Sequence, residues 1–253
     1  MSEIVLNTYP SEASHWYRKD GSAAHEIIGK DGNPRATTLR DARKEGLVPS
    51  VTSIIRCAAA PGLQQWKDTQ TILACLTLPQ NEGESERDYI LRLKADSREQ
   101  AQKAAMRGTQ IHGWVEKGFR GETLEEDATR YYLSAQKCLL EACGDVKWHS
   151  EKSFATARYG GKVDLHNAEY LIDFKTTEKD LETIKIWEEH EMQLAAYSVG
   201  LKGYDRKCGI LYLHVITAEA KLIWMPVDKF QRGWNMFQAL LAYWEAKNNF
   251  PAH

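Results

Sequence analysis

Between Val146 and Thr177 the hydrophobic period of the chain changes, and no other feature restricts the fold as much. Before that point apolar positions recur at helical spacing. LQQWKDTQTILACL (63–76) has this period, the polar loop PQNEGESE (79–86) follows, and a helical pattern runs from Arg87 to Phe119. Breaks are expected within it, with a fresh turn at Gly108-Thr109 that sets Ile111, Val115 and Phe119 at i, i+4 and i+8. Another helix is expected over 124–142, ended by Gly144. Alternation then takes over in VKWHSEKSFATA (146–157), KVDLHN (162–167) and EYLIDFKTT (169–177), which read as three strands. A helix over 187–201 follows. CGILYLHVI (208–216) and KLIWMPV (221–227) read as two more strands, and Asp228 is placed to cap a last helix. Helices followed by β-β-β-α-β-β-α predict one α/β core with a helical N-terminal elaboration. In the first fifty residues, Asp20-Gly21 and Asp31-Gly32 flank HEIIGK and predict a hairpin. Ser50 or Thr52 would cap the short helix entered after Pro49.

Alternate side chains of a strand share a face. In Leu171-Ile172-Asp173-Phe174-Lys175-Thr176, Ile172 and Phe174 therefore enter a core, while Asp173 and Lys175 share the other face about 7 Å apart. An isolated Asp-x-Lys is usually a surface ion pair of little consequence. The preceding strand changes that reading. Val163 and Leu165 are expected to point into the core and leave Asp164 on the opposite face. The nine-residue separation from Asp164 to Asp173 suits a hairpin in which the two carboxylates converge. Neighbouring like charges are costly without a cation between them. Hard oxygen donors suit Mg²⁺ or Mn²⁺. An ammonium beside them can orient a water or stabilise charge developing on a phosphate.

Gly161-Lys162-Val163-Asp164 followed by Ile172-Asp173-Phe174-Lys175 resembles the signature of the PD-(D/E)xK nuclease superfamily. Three further segments resemble its RecB-like and phage-type exonuclease branch, which includes the mitochondrial genome maintenance exonuclease. They are Gly108-Thr109-Gln110-Ile111-His112, Gln193-Leu194-Ala195-Ala196-Tyr197 and Pro49-Ser50-Val51-Thr52-Ser53-Ile54. Together the five segments span roughly residues 49 to 200 in the order that the family shows. The resemblance implies a restriction-endonuclease-like mixed β-sheet core flanked by helices. It would form a single domain over 1–253, with 1–107 as the elaboration and 108–253 as the catalytic core.

By the same resemblance, Asp164, Asp173 and Lys175 would be catalytic. The metal ligands would be His112, Asp164, Asp173 and the backbone carbonyl of Phe174. Gln193, Tyr197, Ser50, Thr52 and Thr109 would bind DNA or support the site. Apart from the resemblance, position alone makes Glu116, one helical turn from His112, and Glu151, in the first strand, candidates to stand just behind the site. One departure is that many relatives carry Glu where Asp173 stands, which shortens the reach to a metal. The implied activity is a Mg²⁺- or Mn²⁺-dependent DNA exonuclease of phage recombination, repair or DNA processing. Its expected partners are end-containing single- or double-stranded DNA and a phage annealing or single-strand-binding protein. A structure-selective or restriction-like endonuclease and an inactive nuclease-fold DNA-binding subunit are the alternatives.

Composition sets limits around this reading. Eight Trp, eleven Tyr and six Phe are too many for a disordered chain. A net charge of −2 gives no global basic field, so DNA would have to be held in a local cleft. Candidate phosphate contacts are Arg56, Lys67, Lys103, Arg107, Arg158 and Lys162, and Trp66, Trp114, Trp187, Trp224, Trp234 and Trp244 read mostly as core. Cys57, Cys75, Cys138, Cys143 and Cys208 are widely spaced and odd in number, which speaks against zinc fingers and for free thiols. Some relatives hold an iron-sulfur cluster through cysteines after the core. Only Cys208 lies there, so no such cluster is expected. MSEIVLNTYP lacks a signal-peptide layout and no apolar run reaches the roughly 20 residues of a membrane span. A cytoplasmic protein without a membrane partner is expected, encoded by a phage or prophage.

Overall fold

The computed structural model describes residues 15–59, 61–202 and 205–250. The N-terminal MSEIVLNTYP, on which the signal-peptide reading rests, lies outside these residues. The elements run β1 (Trp16–Tyr17), β2 (Glu26–Ile28), β3 (Pro34–Ala36), α1 (Leu39–Glu45), β4 (Val48–Pro49), α2 (Val51–Ile55), α3 (Pro61–Thr77), α4 (Glu86–Phe119) and α5 (Glu126–Cys143). The second half runs β5 (His149–Ala155), β6 (Gly160–His166), β7 (Tyr170–Thr177), α6 (Glu188–Gly200), β8 (Lys207–His214), β9 (Ala220–Trp224) and α7 (Val227–Lys247). The expected fold class holds: β5 to β9 form one mixed sheet in sequence order, antiparallel except where β7 pairs parallel with β8. The α6 crossover is what allows that parallel pair, since parallel strands cannot be joined by a tight turn.

Helices cover both faces of the sheet. On one face Leu171, Ile210 and Tyr212 pack with Leu194, Ala196 and Tyr197 of α6 and with Phe237, Leu241 and Trp244 of α7. On the other, Ile172, Phe174, Leu211 and Leu213 pack with Ile111 and Val115 of α4 and Tyr131, Ala135 and Leu139 of α5. The continuous apolar run of β8 follows from burial on both sides.

Four local expectations change. Helix α4 is continuous over 34 residues, without a break at Gly108-Thr109. Gly108 instead permits close approach to β7, because a Cβ there would lie 2.9 Å from Thr176 Oγ1. The last helix is entered at Pro226, and Asp228 sits inside its first turn. Val163 and Leu165 do not share a face: Val163 packs on the α6 and α7 side and Leu165 on the α4 and α5 side. The cause is a fault in the ladder. Glu151 has φ +55, the β5–β6 register omits Glu151 and Asp164, and β6 pairs with β7 only at Leu165–Ile172 and His166–Leu171. The strands therefore fork at Asp164. Finally, Trp66 and Trp187 are exposed rather than core.

At the N-terminus β2 and β3 form the expected hairpin, with Gly32 at φ +80 in its turn. Ser50 caps α2 by accepting from Ser53 N–H, as expected of one of the two candidates. Helix α3 packs along the first half of α4. Among the described residues no helix is long and apolar enough to cross a membrane.

Helix α7 crosses α6 at Gly233, where a Cβ would lie 2.5 Å from the backbone oxygen of Glu191. Ala is favoured over Gly in a helix by about 1 kcal/mol. Overpacking against backbone that cannot swing aside costs about 1–3 kcal/mol. The clash should win, so Gly233→Ala should lower the thermal midpoint by roughly 2–4 °C for each kcal/mol lost. A midpoint unchanged or raised in a melting experiment would show that the two helices are free to separate.

Candidate active site

The fork between β6 and β7 is where the predicted residues meet. Asp164 and Asp173 are only 7% and 2% exposed. Asp164 Oδ2 accepts a hydrogen bond from Phe174 N–H at 2.7 Å, a bond available because β6 has left the ladder there. Asp173 Oδ1 accepts from Gln193 Nε2 at 2.9 Å, and its Oδ2 lies 2.5 Å from Lys175 Nζ. Among the described residues Oδ2 has no other polar partner, so it keeps acceptor capacity beyond the Lys175 ammonium. Gln193 Nε2 also lies 3.0 Å from Tyr197 Oη, and Tyr197 is buried against Gly161.

Helix α4 closes the fork from the other face. It presents His112 and Glu116 one turn apart. One ligand atom from each of His112, Glu116 and Asp164 falls within 4.8 Å of the others. His112 Nδ1 is 3.8 Å from Asp164 Oδ2, too far for a hydrogen bond. The His112 ring also meets the backbone of Phe174.

Burial first, and then the Lys175 charge, lowers the His112 pKa to about 4, so the ring is neutral and able to ligate. Burial raises the pKa of both Asp164 and Asp173, opposed chiefly by Lys175. Burial also raises that of Glu116, reinforced by its hydrogen bond to Glu151. Glu151 keeps its charge, held below the usual range by that hydrogen bond and by Lys162 at 2.5 Å, with Arg120 on its other oxygen. Desolvated carboxylates, a neutral imidazole and an oxygen with a free lone pair fit a hard divalent cation. Such an ion would relieve the burial cost that Lys175 and the more distant Lys162 leave.

The other predicted residues are placed as follows. Glu116 joins the potential ligands, and Glu151 stands behind it. Thr109 is exposed, and its Oγ1 donates to Ala105 O within its own helix. Ser50, Thr52 and Ser53 form a hydroxyl cluster, and Ser50 bridges to Gly160 at the start of β6. They brace the strand that carries Asp164. Of the basic candidates, Arg158 is paired with Glu245 and Lys103 with Glu99. Two neighbours were not anticipated. Tyr212 is the β8 register partner of Lys175, and His190 Nδ1 is 3.0 Å from Tyr212 Oη. His190 stands three residues before Gln193, a helical spacing that could have revealed it. Nothing in the apolar run of β8 singles out Tyr212.

No protein-family model matches the chain, and no curated protein matches it. Some solved structures resemble part of it. A candidate exonuclease from Eubacterium rectale is 12% identical, with a TM-score of 0.42 over 57% of this chain and 69% of that one. An alkaline exonuclease from Laribacter hongkongensis is 14% identical, with a TM-score of 0.35 over 51% of this chain and 74% of that one. Both likenesses are partial, and the chemistry of the site stands on its own residues.

Two buried carboxylates whose desolvation Lys175 and Lys162 only partly offset should make the metal-free protein less stable than its neutralised variant. Asp164→Asn retains an oxygen for Phe174 N–H but removes a charge. In EDTA it should melt a few degrees higher than the parent. The parent should gain stability from Mn²⁺, by about 2.7 kcal/mol at a hundred times Kd, and the variant should lose most of that gain. Equal Mn²⁺ shifts for the two proteins in differential scanning calorimetry would exclude Asp164 as a ligand.

Proposed function

We propose that this chain is a divalent-metal-dependent deoxyribonuclease that hydrolyses phosphodiester bonds from a free DNA end. The observation that carries the proposal is the convergence of His112, Glu116, Asp164, Asp173 and Lys175 at one buried fork. His112, Glu116 and Asp164 would hold the ion, with Asp173 Oδ2 and the Phe174 carbonyl completing its surroundings. A bound Mg²⁺ or Mn²⁺ polarises a phosphate and lowers the pKa of a water. The chain's own groups do the rest. Phe174 N–H fixes the Asp164 carboxylate. Gln193, itself braced by Tyr197, fixes Asp173. Lys175, beside Asp173, puts a positive charge where negative charge develops on the phosphate, or orients the attacking water.

Action from an end is supported by the helical flank. Beyond Gly108 the N-terminal half of α4 extends roughly 30 Å at 1.5 Å per residue, paired with α3. That is more than the fork requires, and it would wall a channel that accepts a threaded strand. The proposal includes a role in phage or prophage DNA recombination, repair or processing in the bacterial cytoplasm, beside an annealing or single-strand-binding protein. An endonuclease would use the same fork without the channel. An inactive DNA-binding subunit would not need the Asp173–Lys175 contact.

Linear DNA should shorten in Mg²⁺ and be spared in EDTA, while covalently closed single- and double-stranded circles survive. Circles cut as fast as linear DNA would replace the exonuclease reading with the endonuclease one. Lys175→Met, which keeps the aliphatic stem, should fold and lose roughly 10²-fold or more in rate, the scale seen when one charge-stabilising group is removed. Near-parental activity in folded Lys175→Met would remove that residue from the chemistry.

A further inference from the structure

Next to Lys175, the β7–β8 register and the contacts of Tyr212 lead toward the N-terminus of α6. Tyr212, the register partner of Lys175, has its Oη 3.0 Å from the carbonyl oxygen of Lys185 and 3.0 Å from His190 Nδ1. His190 Nδ1 in turn lies 3.5 Å from the backbone nitrogen of Trp187. Ile186, between them, is buried in the core on this face of the sheet. Segment 185–190 is therefore fixed over the strand that carries Tyr212, a side chain's length from Lys175. The Lys175 charge is felt there: after burial, it is what lowers the His190 pKa, to about 3.

His190, Gln193 and Tyr197 recur at i, i+3 and i+7 and line one face of α6 toward the sheet. Trp187 continues that line by one turn, out of the protein. Its side chain is 44% exposed although its neighbours are anchored, whereas Trp16 and Trp244 are buried. Among the described residues no other aromatic ring stacks on this exposed indole, so it offers a face to a flat apolar group. Lys185 Nζ lies 4.8 Å from the indole centroid and adds a positive charge beside the ring.

We propose that Trp187 and Lys185 form a binding subsite for single-stranded DNA, in which the indole stacks one base near the scissile phosphate and the Lys185 ammonium meets the backbone. The subsite rests on the nuclease reading of the fork and adds a strand preference to it. Stacking needs a base face that a duplex keeps covered, and it tolerates any base.

The test measures fluorescence anisotropy of a labelled mixed-sequence single strand and of its duplex, on the whole protein, with Ca²⁺ in place of Mg²⁺ to keep the DNA uncut. Trp187→Ala should bind the single strand roughly tenfold or more weakly, with duplex binding unchanged. Trp187→Phe should stay within about threefold of the parent, because a phenyl ring still stacks. In Mg²⁺, Trp187→Ala should raise KM for single strands and leave kcat nearly intact, the pattern of lost uniform binding. Its melting temperature should match the parent, which separates lost stacking from lost folding. Single-strand affinity unchanged in Trp187→Ala, or duplex affinity falling equally, overturns the subsite while parental cleavage leaves the nuclease reading standing. Trp187-dependent binding by a parent protein that cuts no DNA does the reverse. A parent that neither binds nor cuts DNA overturns both.

Discussion

Two carboxylates buried side by side in a low-dielectric fork set the terms for everything around them. Water is excluded from Asp164 and Asp173, so each charge must be met by a fixed partner or neutralised. The structure meets them with a backbone N–H, a carboxamide and one ammonium, from Phe174, Gln193 and Lys175. Three donors do not saturate two carboxylates, and Asp173 Oδ2 keeps unused acceptor capacity. A fold that sought stability alone would replace such a pair with apolar side chains. Retaining it on both strands of one hairpin leaves an electrostatic deficit that a cation would offset under the proposed function.

The backbone is bent to make room for this deficit. Regular pairing would place Asp164 opposite Asp173 within the sheet, leaving no space for ligands between them. The left-handed conformation of Glu151 and the departure of β6 from β7 open that space. The same distortion turns Glu151 toward Glu116, Lys162 and Arg120, where it is the outer end of a chain of polar contacts behind Asp164. A strained φ at a non-glycine residue persists only where its surroundings enforce it. Here the two cations on Glu151 do so.

Much of this was legible in the sequence, because Asp173-Phe174-Lys175 is read by a period of two and the Asp164–Asp173 spacing by a hairpin. Those inferences need only local geometry. Glu116 was visible as a helical neighbour of His112, although its closeness to Asp164 was not, since that depends on how far α4 leans onto the sheet. Placing Val163 and Leu165 on one face failed for a reason that alternation cannot contain: the ladder faults between them, and the fault lies in pairing, not in composition. Gly108 misled in a similar way. In sequence, a glycine within a helical pattern signals a break; in the structure it is the point where helix and strand touch. Trp187 shows the same limit from the surface side, because a helical pattern assigns a face without saying where the protein ends.

What fixes the site to the tolerance that chemistry needs is the rotation of α6. One face of the helix carries His190, Gln193 and Tyr197 toward the sheet. The opposite side carries Glu191, which is fully buried and held by Arg232 at 2.6 Å and Lys229 at 3.1 Å from α7. A turn of α6 that withdrew Gln193 from Asp173 would also break this clamp and leave a buried charge unpaired, which costs about 3–5 kcal/mol. The close contacts at Gly161 and Gly233 prevent the alternative of sliding, since both sides of the helix already lie at van der Waals limits. Gln193 is therefore positioned from two directions at once, by a polar clamp behind the helix and by backbone contact beneath it. The carboxamide that orients Asp173 inherits the rigidity of the α6–α7 pair. The electrostatics of the fork thus depend on packing more than ten residues away in sequence and on the far side of the helix.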